Sequence, residues 1–407
     1  MNKLMIISLF GNINNINSRV YKIDKAFQWE TTFVTPNFDH SKKEFKKQIQ
    51  SQEARIKTVY LDVPAYAKNL SLKRIFSHLV FAKNLNHFLK SLKEYERPDI
   101  IISLMPTSAA AWIAGRFCKK HNLFFVVDVI DLWPDSLVPL VKNNFLIKSV
   151  LSPWSWITQR AYKLANYISA ESKAYSKVAA AFNSEVKDSY TYLGVNSFQV
   201  REIISTSKLL GFKKNNELIL CYGGSLNNSY DFDSLLKAIK YIHSQAVNYK
   251  LIFVGEGEKR NDILKYAKTH DLNVEITGRV SYEDFLRYLS TCDIAFNPFV
   301  ENTKVVHSYK FNDYCAAGLF IFNNLKGETA ELIELYDIGV NYTKNDLHEK
   351  LLHVAQNWLE FNLKRENLRA FIQSELHSDK IYKRLANDIK EEFKNFQLSK
   401  QFHETGC

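Results

Sequence analysis

The sequence predicts an α/β fold with two doubly wound, parallel-sheet domains. Short apolar runs of strand length alternate with amphipathic helical stretches along most of the chain, which is typical of parallel sheets. The series starts again after a polar, Lys-rich segment at 197–216, which suits an interdomain linker. At 407 residues the chain is also long for a single hydrophobic core. We therefore expect an N-terminal domain over 1–200, a C-terminal domain over 201–375, and a helix with a frayed tail over 376–407 that packs back across the junction.

The first half has the strand and helix pattern of one complete domain. We expect strands at 4–10, 30–35, 58–63, 99–104, 123–128 and 167–170, and helices at 18–27, 72–95, 107–120, 145–165 and 171–182. Residues 38–57 are rich in Lys, Gln and Ser, which predicts a solvated loop or helix. In such a sheet, ligands bind beyond the carboxyl ends of the strands, so the loops at 11–15, 105–108 and 128–135 are candidates for a site.

The second half contains strands that end at Gly or Pro turns. We expect strands at 217–222, 250–254, 274–277, 293–296 and 320–322, with helices at 346–366 and 378–397. The first four strands are followed by Gly223-Gly224-Ser225, Gly255-Glu256-Gly257, Gly278-Arg279 and Asn297-Pro298. Glycine at these positions lets the backbone approach a ligand closely at one sheet edge.

The stretch 308–322 reads as a capped helix followed at once by a strand. Ser308 suits the N-cap, and Gly318 suits the left-handed position after the last turn. Lys310 and Asp313 share one face near the helix start. Free N–H groups beside a lysine make a phosphate site, and a carboxylate one turn on can accept hydrogen bonds from sugar hydroxyls. The alternative is an amphipathic helix with a solvated Lys–Asp pair. Its place after four Gly or Pro turns favours the ligand site.

The segment 128–136 has the highest concentration of candidate functional side chains in the first half, with three carboxylates and Trp133 at and just beyond the end of a strand. We expect Asp131 to point into the cleft, where it could orient an acceptor hydroxyl or accept its proton. In the alternative interpretation the carboxylates cap a helix and Trp133 anchors the core. For Asp135 and Ser136 we favour capping.

Composition limits the classes of partner. The formal charge of +11, with 28 Phe and 21 Tyr, fits nucleic acid, an anionic membrane or a phosphorylated substrate. The Lys and Arg residues are spread without a DNA-binding motif, which argues against nucleic acid. Basic, aromatic segments at 73–93 and 145–165 suit a membrane surface, although ordinary packed helices have the same pattern.

The cysteines and apolar runs indicate the compartment. The five cysteines form no CxxC pair or His/Cys cluster, and four of them lie in apolar runs, so we expect core cysteines, a reducing compartment and no structural zinc. The start lacks the pattern of a signal peptide, and no apolar run is long enough to span a bilayer. We expect a cytoplasmic protein that could contact the inner face of the membrane.

Two further motifs are better explained by structure than by chemistry. Asp231-Phe-Asp233 has the form of a DxD metal motif, but it stands directly before a helical stretch, where Asp caps the helix start. Gly255-Glu256-Gly257 lacks the third glycine of a dinucleotide fingerprint and follows an internal strand. We therefore expect neither a metal nor a dinucleotide cofactor.

The ordered set of motifs resembles the GT-B glycosyltransferases, and among them the retaining glycosyltransferase family 4. The resemblance runs through nearly the whole chain and is most specific over 217–335. It rests on Tyr222-Gly-Gly-Ser-Leu, Phe253-Val-Gly-Glu-Gly, Thr277-Gly-Arg-Val and Ser308-Tyr-Lys-Phe-Asn-Asp-Tyr-Cys-Ala-Ala-Gly, in that order. In the first half, Asp131-Leu-Trp-Pro-Asp-Ser136 and Tyr192-Leu-Gly-Val-Asn196 are similar to members that transfer N-acetylated amino sugars in surface polysaccharide synthesis.

The resemblance implies two Rossmann-like domains facing a cleft and a metal-independent, retaining hexosyltransferase. The donor would be a nucleotide-sugar, expected to be UDP-linked and with N-acetylated sugars as candidates. The acceptor would be a lipid-linked or polysaccharide glycan, such as a polyprenyl-diphosphate glycan, in synthesis of capsule, lipopolysaccharide O-antigen or exopolysaccharide. Asp131 and Lys310 would be the catalytic residues, with Asp131 near the reacting hydroxyl and Lys310 facing the diphosphate. The donor-binding residues would be Gly224, Ser225, Gly255, Glu256, Gly257, Gly278, Arg279, His307, Ser308, Tyr309, Lys310 and Asp313.

The chain also departs from the family pattern. The first of two glutamates that have seven residues between them is replaced by Val305, and Asp313 stands where the second is usual; His307 is a possible substitute for one polar role. Ser225 and Tyr230 stand where an Arg and a Lys are common, and Ile130 replaces an Arg before Asp131. Two alternatives therefore stay open. One is a catalytically degenerate GT-B protein that binds a partner or glycan, and the other is a nucleotide-sugar epimerase on the same fold.

Overall fold

The structure of the protein is a computed structural model. It describes residues 2–47, 51, 53–68, 71–134, 144–196, 217–301, 303 and 305–404. The chain forms two compact units, one of Met1–Leu193 with Asp379–Cys407 and one of Gly194–Ser378. The boundaries thus lie at 193/194 and 378/379, where the sequence suggested 200/201 and 375/376. The predicted linker at 197–216 lies outside the described residues.

The first unit is built on one parallel sheet of seven strands. The strand order is β5-β2-β1-β6-β7-β8-β9, and every neighbouring pair is parallel. The order reverses between β1 and β6, which makes the carboxyl ends of these two strands the topological switch point. The strands are β1 Lys3–Ile7, β2 Glu30–Pro36, β5 Ile56–Leu61, β6 Ile100–Met105, β7 Phe124–Val129, β8 Tyr167–Ala170 and β9 Lys187–Tyr190.

Most first-unit elements agree with the sequence prediction, with two exceptions. Residues 38–45 are not simply a solvated segment, because Phe38–Asp39 (β3) and Glu44–Phe45 (β4) pair as a short antiparallel ladder. The edge strand β9 was not predicted, since its sequence KDSY is polar and only partly buried. The helices are α1 Arg19–Phe27, α2 Leu72–Ser91, α3 Ser108–His121, α4 Asn144–Leu164 and α5 Lys173–Ala180.

The C-terminal helix belongs to the first unit, as the predicted fold class required. This helix spans Ser378–Glu404, so the tail expected to fray from residue 400 is helical up to Glu404. Tyr382, Ile389 and Phe393 share a buried cluster with Phe27 and Phe124. Burial of such side chains stabilises each by about 1.5–3 kcal/mol, which explains why the helix returns to this sheet.

The second unit contains a parallel sheet of six strands. The order is β12-β11-β10-β13-β14-β15, so the switch point lies between β10 and β13. The strands are β10 Leu218–Gly223, β11 Tyr249–Val254, β12 Val274–Ile276, β13 Ile294–Asn297, β14 Phe320–Asn323 and β15 Gly339–Asn341. The two parallel α/β units confirm the predicted fold class.

The helices of the second unit confirm the capping prediction at Asp231. Its carboxylate accepts hydrogen bonds from the backbone N–H and the hydroxyl of Ser234, at 3.0 and 2.7 Å. The predicted core cysteines are also confirmed, since Cys118, Cys221, Cys292 and Cys315 are buried. Numbered after α5 among the described residues, the remaining helices are α6 Phe232–Ser244, α7 Arg260–Thr269, α8 Tyr282–Ser290, α9 Tyr309–Ala316, α10 Glu328–Tyr336, α11 Leu347–Gln356, α12 Trp358–Leu363, α13 Asn367–Phe371 and α14 Ser378–Glu404.

Within the part of the chain that the structure describes, no helix is both long and apolar enough to cross a lipid bilayer.

Candidate functional site

Lys310 lies at the switch point of the second unit, held by three aromatic rings. Its ammonium donates a hydrogen bond of 3.1 Å to the Tyr222 hydroxyl. The nitrogen is 3.5 Å from the centre of the Tyr230 ring, 4.6 Å from that of Tyr222 and 5.2 Å from that of Phe299. We call Tyr222, Tyr230 and Phe299 the aromatic cage. Cation–π attraction to these faces stabilises the ammonium where water is partly excluded.

The cage is assembled from both sides of the switch point. Tyr222 belongs to the end of β10, and Phe299 follows β13. Tyr230 and Phe299 form an antiparallel bridge, and the Asp231 N–H donates a 2.8 Å hydrogen bond to the Pro298 carbonyl. The contact between Tyr230 and Lys310 could not be predicted, because the two residues are far apart in the chain and only the sheet order brings them together.

Burial shifts the proton equilibrium of Lys310. Removal from water lowers the pKa of the ammonium well below its ordinary value of 10.5. An anion beside the ammonium would favour the charged form and raise the pKa again.

Bare backbone lies next to Lys310. Gly224 has φ +130°, and a Cβ placed there would be 3.5 Å from the Lys310 Cε. At Gly255 a Cβ would lie 1.9 Å from the Gly224 carbonyl oxygen, and at Gly257 it would lie 2.3 Å from the Leu226 carbonyl oxygen. The loops after β10 and β11 can pack together only because side chains are absent there. Three predicted donor-binding glycines thus form one surface with the lysine.

Glu256 and Gly278 also come together, and they bring a cation that the sequence did not single out. The Arg260 guanidinium forms a 3.0 Å ion pair with Glu256. A Cβ at Gly278 would lie 3.4 Å from the Glu256 carboxylate and 3.8 Å from Arg260. The predicted cation of this region, Arg279, is exposed. Arg260 begins α7, four residues after Glu256, and this spacing on a helix start was the signal that could have identified it.

The start of α9 differs in one respect from the prediction. Ser308 occupies the predicted N-cap position and is buried, but its side chain makes no capping hydrogen bond. Tyr309 is exposed and Ser225 is also exposed, although the Ser225 carbonyl accepts a 2.8 Å hydrogen bond from the Tyr222 hydroxyl. Gly318 has φ +78°, which confirms the left-handed helix end.

Asp313 contacts a tyrosine of a neighbouring helix. The Tyr282 hydroxyl donates a 2.8 Å hydrogen bond to the Asp313 carboxylate. Burial, together with the Asp313 charge, raises the pKa of Tyr282 above its ordinary value. Tyr282 therefore remains a donor at any physiological pH and orients the carboxylate.

His307 lies on the other side of the start of α9. Its Nε2 is 2.8 Å from the Asn312 Oδ1, and its ring packs edge-on against Phe311. Burial lowers the pKa of His307, while Asn312 and Glu328 act in the opposite direction. Glu328 is the first residue of α10, so His307 lies between the starts of α9 and α10.

Asp131 follows β7 in the first unit, in a loop lined by aromatic and basic groups. The neighbouring Trp133 stacks on His78, with ring centres 6.2 Å apart and planes inclined by 22°. The Arg74 guanidinium carbon lies 4.2 Å from the centre of the Trp133 ring. The Asp131 carboxylate favours the charged form of Arg74, against the lowering of the Arg74 pKa by burial. Asp135 and Ser136 lie outside the described residues.

Comparison with known proteins agrees with this geometry. Residues 205–370, which contain the Lys310 site, match the family described as glycosyl transferases group 1. Residues 205–370 therefore form a glycosyl transferases group 1 domain, on a chain whose two parallel-sheet units have the GT-B fold.

Individual relatives resemble this chain along most of its length. It is 22% identical over 313 residues, 76% of this chain and 74% of the relative, to the GalNAc-alpha-(1->4)-GalNAc-alpha-(1->3)-diNAcBac-PP-undecaprenol alpha-1,4-N-acetyl-D-galactosaminyltransferase of Campylobacter jejuni. The sucrose-phosphate synthase of Thermosynechococcus elongatus superposes with a TM-score of 0.70 at 14% identity, covering 97% of this chain and 100% of that one. HepE of Anabaena, solved in complex with UDP, gives a TM-score of 0.67 at 15% identity, covering 96% and 100%. These two structural likenesses show the fold.

Proposed function

We propose that this glycosyltransferase transfers a sugar from a UDP-linked donor to a lipid-linked glycan acceptor in surface glycan synthesis. The observation that carries the proposal is Lys310, a partly buried ammonium set against the bare backbone of Gly224 at the sheet's switch point. This arrangement suits a diphosphate, because the negative group would replace water around the cation and accept hydrogen bonds from nearby N–H groups.

Two relatives support the choice of substrates. HepE was solved in complex with UDP, which supports a uridine nucleotide as the leaving group. The Campylobacter jejuni relative is named for N-acetylgalactosamine transfer to an undecaprenol-diphosphate-linked glycan. We therefore propose an N-acetylated amino sugar as the donor sugar and a polyprenyl-diphosphate glycan as the acceptor.

The proposed roles follow from the local geometry. Lys310 and the N–H groups at the start of α9 would stabilise the charge that develops on the departing diphosphate, so that no metal is needed for this step. Asp313, held by Tyr282, would accept hydrogen bonds from the ribose hydroxyls. Asp131 would orient the acceptor hydroxyl. Retention of the anomeric configuration belongs to the same proposal and comes from the resemblance to family 4.

One observation favours a second candidate, a GT-B protein that binds the nucleotide without catalysis. Tyr230 stands where the family commonly has a basic residue, and its ring lies against Lys310. With Ser225 and Tyr230, the loop after β10 lacks both of the cations that are common there. A protein that binds UDP and its sugars but transfers none of them would fit this candidate.

The deciding experiment measures transfer from a panel of nucleotide-sugars to a lipid extract, with EDTA present and absent. We expect transfer from one UDP-N-acetylhexosamine in both conditions. Lys310→Ala and Asp313→Ala should abolish transfer or reduce it strongly, while Lys240→Ala, an exposed lysine on α6, should match the wild type. Activity equal to the wild type in both site variants would refute the assigned donor site.

We also propose peripheral contact with the cytoplasmic face of the membrane through α2. Leu72, Phe76 and Leu79 share one face of this helix and are 83%, 58% and 51% exposed. The exposed residues Lys73, Lys83 and Lys90 lie on the same helix. Apolar side chains flanked by lysines suit the interface of an anionic bilayer.

A further inference from the structure

The first unit contains an apolar cavity of about 250 Å³ at its own switch point. Leu9 follows β1 and Pro106 follows β6, so the cavity lies beyond the carboxyl ends of the two strands between which the strand order reverses. Helices α2 and α4 close the sides. The walls are formed by Leu9, Ile75, His78, Leu79, Phe81, Pro106, Thr107, Ser108, Ala109, Ala110, Leu151, Pro153, Trp154 and Ile157.

The hydroxyls in the wall are already engaged within the protein, whereas the buried Nε2 of the wall residue His78 has no hydrogen-bond partner. The Ser108 hydroxyl accepts hydrogen bonds from the Trp154 indole N–H at 3.0 Å and from Thr158 at 2.7 Å. The Thr107 hydroxyl donates to the Leu104 carbonyl at 2.7 Å. The rest of the wall that a ligand would contact is mainly hydrocarbon, so the cavity suits an apolar chain. Because Ile75 and Leu79 are also solvent-exposed, the cavity reaches the surface at α2.

A cationic cluster lies directly beside the cavity. It consists of Arg74, Lys43, His40 and Tyr66, which meet around the Tyr66 hydroxyl. That hydroxyl is 2.7 Å from the His40 Nδ1, which is itself 3.2 Å from the Lys43 ammonium. The Lys43 ammonium lies 4.9 Å from the centre of the Tyr66 ring, and Arg74 forms a hydrogen bond with Tyr66. These groups follow β2 and β5, so they share the sheet edge with the cavity.

His78 joins the cluster to the cavity. It lies one helical turn after Arg74 on α2, stacks on the same Trp133 ring that Arg74 covers, and lines the cavity wall. The next residue after Arg74, Ile75, also lines the wall. Arg74, which is only 8% exposed, therefore lies between the cationic cluster and the apolar wall of the cavity.

The charge of the cluster is positive. The pKa of His40 is lowered to about 4 by burial and by the neighbouring Arg74 and Lys43, and the pKa of His78 is lowered to about 3, chiefly by burial. Both rings are therefore neutral at physiological pH. Two carboxylates lie nearby: Asp131 favours the charged form of Arg74, and Asp39 accepts hydrogen bonds from Ser41 and from the Lys42 N–H in its own turn. At His40 the effect of the two cations on the pKa nevertheless exceeds that of Asp39. An anionic ligand group would be attracted to this cluster.

We propose that the cavity and the cationic cluster together bind an isoprenoid diphosphate, with the phosphates at Arg74 and Lys43 and the first hydrocarbon segment in the cavity. The inference rests on the proposed function, since it assigns the lipid end of the acceptor to the first unit. A free nucleotide would set polar atoms against the apolar wall, and a neutral alcohol would gain nothing from the charge of Arg74 and Lys43. An amphiphile with an anionic head satisfies both parts.

The test uses farnesyl diphosphate, farnesol and inorganic diphosphate as probes, titrated calorimetrically into the full chain at low salt. We expect farnesyl diphosphate to bind at least about tenfold more tightly than either fragment, because burial of several methylenes adds to the charge attraction. Equal affinity for farnesyl diphosphate and inorganic diphosphate would show that the cavity does not bind the hydrocarbon. Equal affinity for farnesol and farnesyl diphosphate would show that the cationic cluster does not bind the diphosphate. Either result would overturn the proposal.

Variants separate the two parts of the site. Ala109→Leu should fill the cavity and bring farnesyl diphosphate down to the affinity of inorganic diphosphate. Lys43→Gln should weaken both diphosphates by about fivefold or more. Lys42→Gln, which changes an exposed neighbour, should leave all three affinities unchanged. If Lys43→Gln and Lys42→Gln behave alike, the cluster does not bind the anion and the proposal falls.

The same experiments distinguish failure of this inference from failure of the proposed transferase function. Sugar transfer to a lipid extract without farnesyl diphosphate binding would refute this inference and leave the transferase function standing. Binding with the expected variant pattern, but with no transfer from any donor, would support the isoprenoid site and refute transfer.

Discussion

The Lys310 ammonium and the Tyr222 hydroxyl form a 3.1 Å hydrogen bond across the switch point of the second unit. Tyr222 in turn donates to the Ser225 carbonyl, so the tyrosine fixes both the lysine and the loop after β10. The lysine is held beside Gly224 by this chain of contacts before any ligand binds. A site organised in advance loses less entropy on binding.

Nucleotide binding should be linked to proton uptake at Lys310. Burial lowers the pKa of the free lysine, and a bound diphosphate raises it. Between these two pKa values the lysine gains a proton on binding, so affinity for UDP should fall as pH rises through that window and be constant below it. Calorimetry in buffers of different ionisation enthalpy measures the uptake directly.

Variants of Lys310 test whether this lysine is the group that takes up the proton. Lys310→Met should lower affinity for UDP by roughly 10- to 100-fold, as expected for a charge-assisted hydrogen bond, and should abolish the buffer dependence. Lys240→Met serves as the control and should keep both. Proton uptake that persists in Lys310→Met would show that another group titrates.

Asp313 should discriminate between ribose and deoxyribose. Its carboxylate is oriented by Tyr282 at 2.8 Å, and a charged acceptor holds a sugar hydroxyl with about 1.5–3 kcal/mol. Wild type should therefore bind UDP about tenfold or more tightly than 2′-deoxy-UDP, and Asp313→Asn should reduce that ratio. Tyr282→Phe, which removes only the orienting hydroxyl, should give an intermediate ratio. An unchanged ratio in Asp313→Asn would place the ribose elsewhere.

The fold could be predicted because its signals are local. Buried strands such as β7 and β10 are continuous apolar runs, and Asp231 caps its helix through contacts within four residues. The edge strand β9 and the ladder of β3 and β4 escaped prediction, because their few residues are polar or half-buried and only pairing partners far along the chain or in the next turn make them strands.

The site was only partly predictable for the same reason. Lys310 could be predicted from its place near a helix start. The glycines around Gly255 could be predicted because a tight turn or a close backbone approach requires glycine. The aromatic cage and the contact between Tyr230 and Lys310 depend on strand order, which determines which loops meet. At Ser308 the residue type predicted the N-cap position, but not that its side chain would make no capping hydrogen bond there.

Arg19 and Asp128 should contribute strongly to the stability of the first unit. Both are almost fully buried, and two nitrogens of the guanidinium donate to the two carboxylate oxygens at 2.6 and 2.7 Å. Removing one partner leaves a buried charge, so Asp128→Asn and Arg19→Met should each lower the free energy of unfolding by about 3–5 kcal/mol. Five of the six tryptophans belong to this unit, so tryptophan fluorescence during urea unfolding reports on it.

The matched control is a partly exposed pair. Lys187 and Glu392 of the same unit are 3.0 Å apart with side chains 47% and 25% exposed, and Glu392→Gln should cost at most about 1 kcal/mol. The double variant Arg19→Met with Asp128→Asn should be less destabilised than the sum of the single variants, because neither charge is left alone. Equal effects in the buried and exposed pairs would contradict the assigned importance of Arg19.

Contact of α2 with an anionic bilayer should depend on its exposed apolar face. Burial of Leu72 and Phe76 at the interface is worth about 1.5–3 kcal/mol each, so Leu72→Ser with Phe76→Ser should reduce partitioning by roughly tenfold or more. The measurement is flotation with vesicles of anionic and of neutral lipid. Leu335→Ser, at a residue 75% exposed in the second unit, is the control and should float like the wild type. Salt should weaken wild-type flotation, because Lys73 and Lys83 supply its electrostatic part. If Leu335→Ser reduces flotation as much as the α2 variant does, α2 is not the contact surface.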